Sequence, residues 1–210
     1  MPRTSQVALE PRKSPVQARS NASVSAILEA TVQVLLDVGK ERLTTTRVAQ
    51  RAGVSVGTLY QYFPNKSALL QAVLRNHLES VAQALEVVCR EEKTGPVTEM
   101  LTRLVDTFLE AKMKHLKTSI ALYSVSSDVD GMKIACEIAS RITRAIASAL
   151  STASDPVGKD PQLVASLIQG AMSGVSHRIL DSASPEKHYP LLKKELALMM
   201  RAYINASSAT

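Results

Sequence analysis

Two short helical patterns on either side of a glycine, in TTTRVAQRAGVSVGTLYQYFPNK at residues 44–66, constrain the fold of this chain more than any other feature. Thr44 or Thr45 can cap the first helix, and Gly53 ends it because glycine tolerates a positive φ. Ser55 can cap the second helix. Each helix is only about two turns long, so neither is stable alone. The segment therefore predicts a helix-turn-helix supported by other helices.

The inward positions of this segment are apolar or small, whereas the outward positions are polar. The predicted inward residues are Val48, Ala49, Ala52, Val54, Leu59 and Phe63. A helix beginning at residue 22 would complete a three-helix core with the buried stripe Ile27, Ala30, Val34 and Leu35. Gly57 is unfavourable inside a free helix, but the missing side chain lets that helix approach another surface closely. Outward Thr, Gln and Tyr side chains suit contacts with base edges and phosphates.

The stretch LTTTRVAQRAGVSVGTLYQYFPNKSALL resembles the DNA-binding domain of the TetR family of bacterial transcriptional repressors. The resemblance covers residues 22–75 and implies that the second short helix is the recognition helix. Arg47 either reaches a phosphate or stays solvated, and Ser55 belongs to the same face. The DNA-binding set implied by the resemblance is Thr45, Thr46, Arg47, Ser55, Val56, Gly57, Thr58, Tyr60, Gln61, Tyr62 and Lys66.

Positive charge is concentrated at the N-terminal end of the chain. The whole chain has a formal net charge of +6, and residues 1–66 hold nine Lys or Arg against four Asp or Glu. Such asymmetry favours a polyanionic partner, because Lys and Arg at phosphates release condensed counterions. Residues 1–19 contain three prolines and show no periodicity, so we predict a disordered basic arm that either contacts DNA or is solvated.

The rest of the chain is read as helical. Predicted helices are 22–39, 66–93, 96–114, 116–125, 127–154, 160–183 and 186–206, which with the two short helices make nine helices and an all-α protein. The predicted domains are 20–66, a DNA-binding domain, and 67–210, a ligand-binding and dimerisation domain. No apolar run is long enough and uninterrupted enough for a membrane helix, so the expected location is the cytoplasm, without a membrane partner. Cys89 and Cys136 are expected to be small buried hydrophobes.

One catalytic motif competes with this interpretation. Residues 53–57, GVSVG, match the G-x-S-x-G nucleophile elbow of α/β-hydrolases, with Ser55 as nucleophile. The available histidine bases are His77, His115, His177 and His188. The motif has meaning only between a strand and a helix, and the preceding residues have a helical period. We therefore expect no catalytic residues, no metal site and no cofactor.

Residues 67–210 carry two further sets of candidates. The predicted dimer interface, which builds a four-helix contact between two copies, consists of Gly170, Gly174, Leu192, Leu196, Met199, Met200 and Tyr203. The candidate ligand-binding residues are Met100, Leu104, Phe108, His115, Tyr123, Met132, Cys136, Met172 and His177, although apolar residues at helical spacing are also what any helical core contains.

The sequence therefore predicts a homodimeric TetR-type repressor that binds a palindromic operator in double-stranded DNA and is released by a small, mainly apolar organic ligand. An activator or a ligand-independent regulator would share the same DNA-binding part. A helical adaptor would need no groove-facing surface, and a hydrolase would need a sheet.

Overall fold

The computed structural model of the protein describes residues 15–155 and 157–208. Within these ranges it contains nine α-helices, one 3₁₀ turn and no strand, so the all-α prediction is confirmed. The helices are α1 (Pro15–Arg42), α2 (Thr45–Ala52), α3 (Val56–Tyr62), α4 (Lys66–Glu91), α5 (Val97–Lys114), α6 (Leu116–Val125), α7 (Gly131–Leu150), α8 (Pro161–Leu180) and α9 (Pro185–Ser208), with the 3₁₀ turn at Ser126–Asp128.

The chain divides into two compact units, unit 1 (Met1–Leu69) and unit 2 (Leu70–Thr210). In unit 1, α1 packs along α2, and α2 packs on α3. The predicted stripe of α1 is confirmed as core, since each of its four residues is at most 4% exposed. The other fully buried residues of unit 1 are Thr31, Leu43, Val48, Ala49, Leu59 and Leu69.

Helix α1 begins earlier than the sequence pattern indicated. It starts at Pro15 rather than at residue 22, so the helix includes residues 15–19 of the predicted disordered arm. Proline is favoured in a first helical turn, where its missing N–H has no intrahelical partner to lose. Residues 1–14, which make up the rest of that arm, lie outside the described residues. Near its other end α1 is interrupted at Gly39, which has φ 77° and ψ 169°.

By length and composition alone, Ser20–Arg42 qualifies as a membrane-crossing helix, with a mean hydropathy of 1.4. The core helix of a compact domain passes the same test, and the apolar stripe of this helix is buried inside unit 1. Packing in unit 1 accounts for this buried stripe of the helix.

Unit 2 is built from six helices, most of α4 and all of α5 to α9. Helix α7 packs on α8, α5 packs on α9, and α8 contacts both α5 and α9. The side chains at the centre, all at most 1% exposed, include Met100, Leu101, Leu104, Leu122, Ile146 and Val164. Cys89 is buried, as expected, but Cys136 is exposed because it lies on the outward side of α7, so that part of the cysteine prediction was wrong.

Helix α7 is shorter at both ends than the predicted 127–154. Asp130 has a positive φ of 52°, and α7 begins only at Gly131. A methyl group at Gly131 would lie 2.5 Å from the Ser126 carbonyl oxygen, so a side chain here would clash with backbone. The tight connection between α6 and α7 therefore requires glycine at this position.

Candidate nucleic-acid interface and ligand cavity

The ends of α2 are set by local hydrogen bonds. Thr44 has extended backbone dihedrals, and its hydroxyl accepts a 3.3 Å hydrogen bond from the Arg47 N–H. Gly53 adopts the left-handed conformation, with φ 68° and ψ 28°. The Val54 N–H then donates to the Ala49 carbonyl at 3.0 Å, which satisfies a terminal carbonyl of the helix. These contacts make the glycine turn that the sequence indicated.

Ser55 caps α3. Its hydroxyl accepts from the Thr58 N–H at 2.9 Å and lies 2.8 Å from the Thr58 hydroxyl. No strand precedes Ser55 in the described part of the chain, since α2 and the Gly53 turn come directly before it. GVSVG is therefore a turn and helix cap, and the nucleophile-elbow alternative is wrong.

The outward face of α3 carries the side chains best placed to meet a partner. Gly57, Tyr60 and Gln61 are exposed and lie at i, i+3 and i+4. The Tyr60 side chain is 47% exposed, and its hydroxyl lies 3.0 Å from the Thr45 hydroxyl at the start of α2. One hydrogen bond thus joins the beginning of α2 to α3, and Thr46 beside it is exposed as well.

Packing within the protein does not require a glycine at position 57. A methyl group added to it would meet only the Ser55 hydroxyl oxygen, at an ordinary contact distance of 3.7 Å. The residue is nevertheless a poor helix former in the second position of a seven-residue helix. Packing inside the protein therefore does not explain the glycine at this position.

The remaining predicted α3 residues are less accessible than Tyr60. Val56, Thr58 and Tyr62 are half-buried, and Leu59 between them is fully buried. The Thr58 hydroxyl is engaged with Ser55, so its local partner is the helix cap.

Three cations of unit 1, Lys66, Arg47 and Arg51, have local partners. Lys66 Nζ donates to the Lys40 carbonyl oxygen at 2.7 Å, near the end of α1. Arg47 donates to the Arg42 carbonyl at 3.3 Å, while Arg51 pairs with Asp37. Arg47 remains exposed, and a guanidinium has five N–H donors, so one such bond leaves it able to meet a phosphate.

Unit 2 contains two adjoining cavities. The His77 cavity has a volume of about 110 Å³, and the Phe108 cavity has a volume of about 100 Å³. The walls of the His77 cavity are Leu74, His77, Leu78, Lys112, Ser119, Leu122, Tyr123, Ser126, Gly131, Met132, Ala135, Ser176, His177 and Leu180. Both volumes are well below the roughly 300–1,000 Å³ typical of sites for drug-sized ligands. The space suits a small group, and a larger ligand would have to move the walls.

A polar chain crosses the wall of the His77 cavity. The Ser119 hydroxyl donates to the Lys112 carbonyl at 3.1 Å and lies 3.3 Å from His77 Nε2. Because the hydroxyl proton points to the carbonyl, Ser119 accepts from His77, which places the imidazole proton on Nε2. Burial lowers the pKa of His77 to about 4, helped by the nearby Lys112 and His115 charges. Burial also lowers the pKa of Lys112 to about 8. At neutral pH the imidazole is therefore uncharged and the ammonium charged.

The candidate ligand residues fall into three groups. Four of them line the cavities: Phe108, Tyr123, Met132 and His177. Three others, Met100, Leu104 and Met172, are packed in the core at 1% exposure or less, because the inward faces of α5 and α8 meet other helices there. His115 is exposed and lines neither cavity, and Cys136 faces a separate groove between α7 and α8.

Sequence reasoning missed His77, Lys112 and Ser119, the polar part of the cavity. Lys112 lies on the amphipathic helix α5 and Ser119 on the mainly apolar helix α6, and a single polar residue in such a helix gives no sequence signal for a cavity. A lysine one turn after the last buried residues of α5, Phe108 and Leu109, is also what a solvated face would contain. Only the meeting of α4, α5 and α6 distinguishes these side chains from surface residues.

Helices α8 and α9 each expose an apolar stripe. On α8, Leu163 and Leu167 are 53% and 51% exposed, and Gly170 and Gly174 continue the same face at i+7 and i+11. A methyl group at either glycine would meet nothing within 4 Å. On α9 the exposed apolar residues are Leu191, Leu198 and Met199.

The α9 residues predicted for the dimer interface do not share one face. Met199 is exposed, Leu192 and Tyr203 are half-buried, but Leu196 and Met200 are 2% and 3% exposed and belong to the core of unit 2. The buried stripe at Leu196, Met200 and Ile204 follows the helical period and is explained by packing of α9 on α5. Leu163, Leu167, Leu191 and Leu198 were the exposed residues that the sequence reading omitted.

Comparisons with known proteins match both units. Residues 27–73 match the family described as bacterial regulatory proteins, tetR family. Residues 96–204, about half of the chain, match the family described as tetracyclin repressor-like, C-terminal domain.

Two curated relatives match mainly through part of their length. The HTH-type transcriptional regulator BetI 1 of Chromohalobacter salexigens is 31% identical over 105 residues, which cover 48% of this chain and 50% of the relative. The tetracycline repressor protein class C of Escherichia coli is 48% identical over 48 residues, or 23% of this chain and 22% of that protein. This chain thus spans half or less of the length of these relatives.

A solved structure resembles the chain over nearly its whole length. It is a TetR-family transcriptional regulator from Mesorhizobium loti, with a TM-score of 0.75 and 18% identity, covering 90% of this chain and 98% of that chain. At this identity the likeness shows a shared all-α fold.

Proposed function

The chain belongs to the TetR family of DNA-binding transcriptional regulators, and from this premise we propose that it is a homodimeric repressor that a small organic ligand releases from its operator. The family and fold are those of regulators, which are not enzymes. Residues 20–66 would be the DNA-binding domain, residues 67–210 the ligand-binding and dimerisation domain, and the cytoplasm the place of action.

The observation that carries the proposal is the outward face of α3. Gly57 leaves room for the helix to enter a major groove, and Gln61 beside it offers an amide suited to adenine. Tyr60, Thr45 and Thr46 flank this position with hydroxyl groups suited to phosphates. Arg47 and Lys66 supply charge, while Val56 would make a methyl contact, Ser55 and Thr58 would orient the helix start, and Tyr62 would pack at its far edge.

The exposed stripes of α8 and α9 support a dimer. Exposed apolar side chains on two packed helices favour a partner that covers them, and Gly170 and Gly174 on α8 would let a second helix approach closely. Two copies related by a twofold axis would form a four-helix contact. The paired recognition helices would then read half-sites of a palindromic operator about 34–36 Å apart.

The His77 and Phe108 cavities support regulation by a ligand. They lie between α4, α5, α7 and α8, and α4 is tied to α7 by the ion pairs Arg75–Glu137 at 2.8 Å and Arg141–Glu79 at 2.6 Å. A ligand that enlarged either cavity would shift α4, whose first turn carries Lys66. A coupling free energy of about 1–3 kcal/mol would weaken operator binding several-fold to about a hundredfold.

Selection of DNA by the purified protein, followed by sequencing, tests the proposal directly. We expect recovery of palindromic sites, and expect Gln61→Ala to change the preferred bases while Gln83→Ala, an exposed substitution on α4, leaves them unchanged. Recovery of random DNA, or no DNA, would overturn the DNA-reading part. A reporter placed behind the recovered site distinguishes repression from activation.

A further inference from the structure

We propose that the effector carries a single carboxylate on an apolar body and that Lys112 recognises this carboxylate. The inference rests on the proposed ligand-regulated function and names the chemistry of its ligand. It is drawn from the charge and the surroundings of the two cavities in unit 2.

Lys112 stands where the two cavities meet. Both cavities are lined by Leu78, Lys112, Ala135, Ser176 and His177. The ammonium lies 5.8 Å from the centre of the Phe108 ring, which belongs to the wall of the second cavity. A change in the position of the Lys112 side chain would therefore join the two spaces into one.

The ammonium lacks the acidic partners that a buried cation normally has. Among the described residues, no carboxylate forms an ion pair with Lys112. Lys193, by contrast, which also approaches α5, contacts Asp106 and Glu110 at 3.0 Å each. A half-buried charge without a counter-ion is unfavourable, and a bound anion would relieve this cost.

Of the described side chains that line the two cavities, Lys112 is the only Lys or Arg, which favours a ligand with one negative charge. His77 is neutral at pH 7, because its pKa is lowered to about 4, and the neighbouring Ser119 and Ser176 are uncharged. One ammonium balances one carboxylate. A phosphate with two negative charges would leave a buried charge uncompensated, and an amine would be repelled by Lys112.

The rest of the cavity favours an apolar body. Leu74, Leu78, Leu122 and Leu180 form its walls, and Met132 at the edge is 75% exposed. An alkyl or aryl group bound to the carboxylate would leave water and contact these leucines, and the exposed Met132 would cover a longer tail. The ligand is thus amphipathic, with its charged end inside.

Three eight-carbon probes test the proposal: octanoate, octanol and octylamine, titrated calorimetrically into the purified full-length protein at pH 7 without DNA. We expect octanoate to bind at least about tenfold more tightly than octanol, as for a hydrogen bond to a charged group, and octylamine to bind most weakly. Lys112→Met keeps the length of the side chain and removes the charge, so it should abolish the preference for octanoate. Lys114→Met, an exposed change two residues further along α5, should preserve it.

Three results would overturn the proposal: equal binding of octanol and octanoate, a preference that survives Lys112→Met in a variant with an unchanged circular dichroism spectrum, or no binding of any probe. Operator binding is measured separately and without a probe. A protein that selects DNA but shows no carboxylate preference therefore refutes this inference alone. A protein that binds octanoate through Lys112 but selects no DNA refutes the proposed regulation instead.

Discussion

Helices α3 and α8 both contain glycines at which an added methyl group would meet little or nothing in the protein, but the neighbours of these glycines differ in polarity. Gly57 lies beside Tyr60 and Gln61, whereas Gly170 and Gly174 continue a stripe of exposed leucines. When a partner covers polar side chains, their lost hydrogen bonds to water must be replaced by hydrogen bonds to that partner. When a partner covers apolar side chains, the exclusion of water from them stabilises the contact. This difference in polarity is the reason why we propose DNA as the partner of α3 and a second copy of the chain as the partner of α8.

Filling the α8 surface should have the largest effect. Gly174→Leu adds a side chain that the protomer can accommodate but an opposing helix cannot, so we expect a folded monomer. Operator affinity should fall about a hundredfold or more, because two linked reading heads raise avidity by roughly 10²–10⁴. Sedimentation and fluorescence anisotropy measure both effects. Lys133→Leu, an exposed change on α7, is the control, and a fully active Gly174→Leu dimer would move the interface elsewhere.

The interior of unit 2 should show an acid sensitivity that depends on His77. Its folded-state pKa, about 4, lies below the ordinary value of 6.5, so the unfolded chain takes up the proton first as the pH falls. Above pH 6.5 both states are neutral and the group has almost no effect. Between pH 7 and pH 5 the free energy of unfolding should fall by about 2 kcal/mol because of this residue.

Thermal unfolding of wild type and His77→Gln at both pH values measures this difference. The glutamine amide can still donate to Ser119 but does not titrate, so the variant should lose less stability on acidification. Equal losses in the two proteins would show that His77 does not contribute.

Filling the α3 surface should separate stability from DNA binding. Gly57→Ala should raise the free energy of unfolding of unit 1 by about 0.5–1 kcal/mol, since alanine is the better helix former. It should also weaken operator binding about tenfold, because overpacking costs about 1–3 kcal/mol. Gly53→Ala is the matched control: its φ of 68° is strained for alanine, so stability should fall instead. Unimpaired operator binding by Gly57→Ala would remove α3 from the groove.

The smallest effect concerns a single hydroxyl group. Tyr60→Phe removes the oxygen that lies 3.0 Å from Thr45, and affinity for all DNA sequences should fall several-fold, in line with about 0.5–1.5 kcal/mol for one hydrogen bond. The salt dependence of binding should not change, because no charge is removed. Anisotropy titrations at two salt concentrations test this, with Tyr189→Phe in unit 2 as control. A changed salt slope would contradict the assigned contact.

Much of unit 1 could be predicted because its helix ends are specified by interactions between residues close in sequence. Thr44 and Ser55 cap α2 and α3 by accepting hydrogen bonds from backbone N–H groups three residues later. Gly53 ends α2 through hydrogen bonds to carbonyls of the preceding turn. The four core positions of α1 follow the helical period. By contrast, the start of α1 at Pro15 was missed because a proline-rich segment reads as a break even where proline can open a helix.

In unit 2 the helix pattern was readable but the use of each face was not. A period of 3.6 residues identifies an apolar stripe on a helix but not its partner. Helix α9 has apolar residues on both its buried and its exposed side, so the sequence did not distinguish the buried Leu196 from the exposed Met199. The cavity was hidden for a related reason: Lys112, Ser119 and His77 come from three helices and acquire meaning only beside one another.

The sequence by itself determined the helices, their caps and the helix-turn-helix, because those depend on interactions between residues no more than a few positions apart. Only the tertiary structure decided which charged side chains form ion pairs and which helix ends form hydrogen bonds with residues distant in sequence. The Val97 N–H at the start of α5, for example, donates to Asp155 at 2.8 Å, across 58 positions of sequence. Lys112 is left without an acidic partner in the same way, since packing brings leucines of α4, α6 and α8 to it from distant parts of the chain. Periodicity specifies a face, but the partner of that face depends on how distant helices pack.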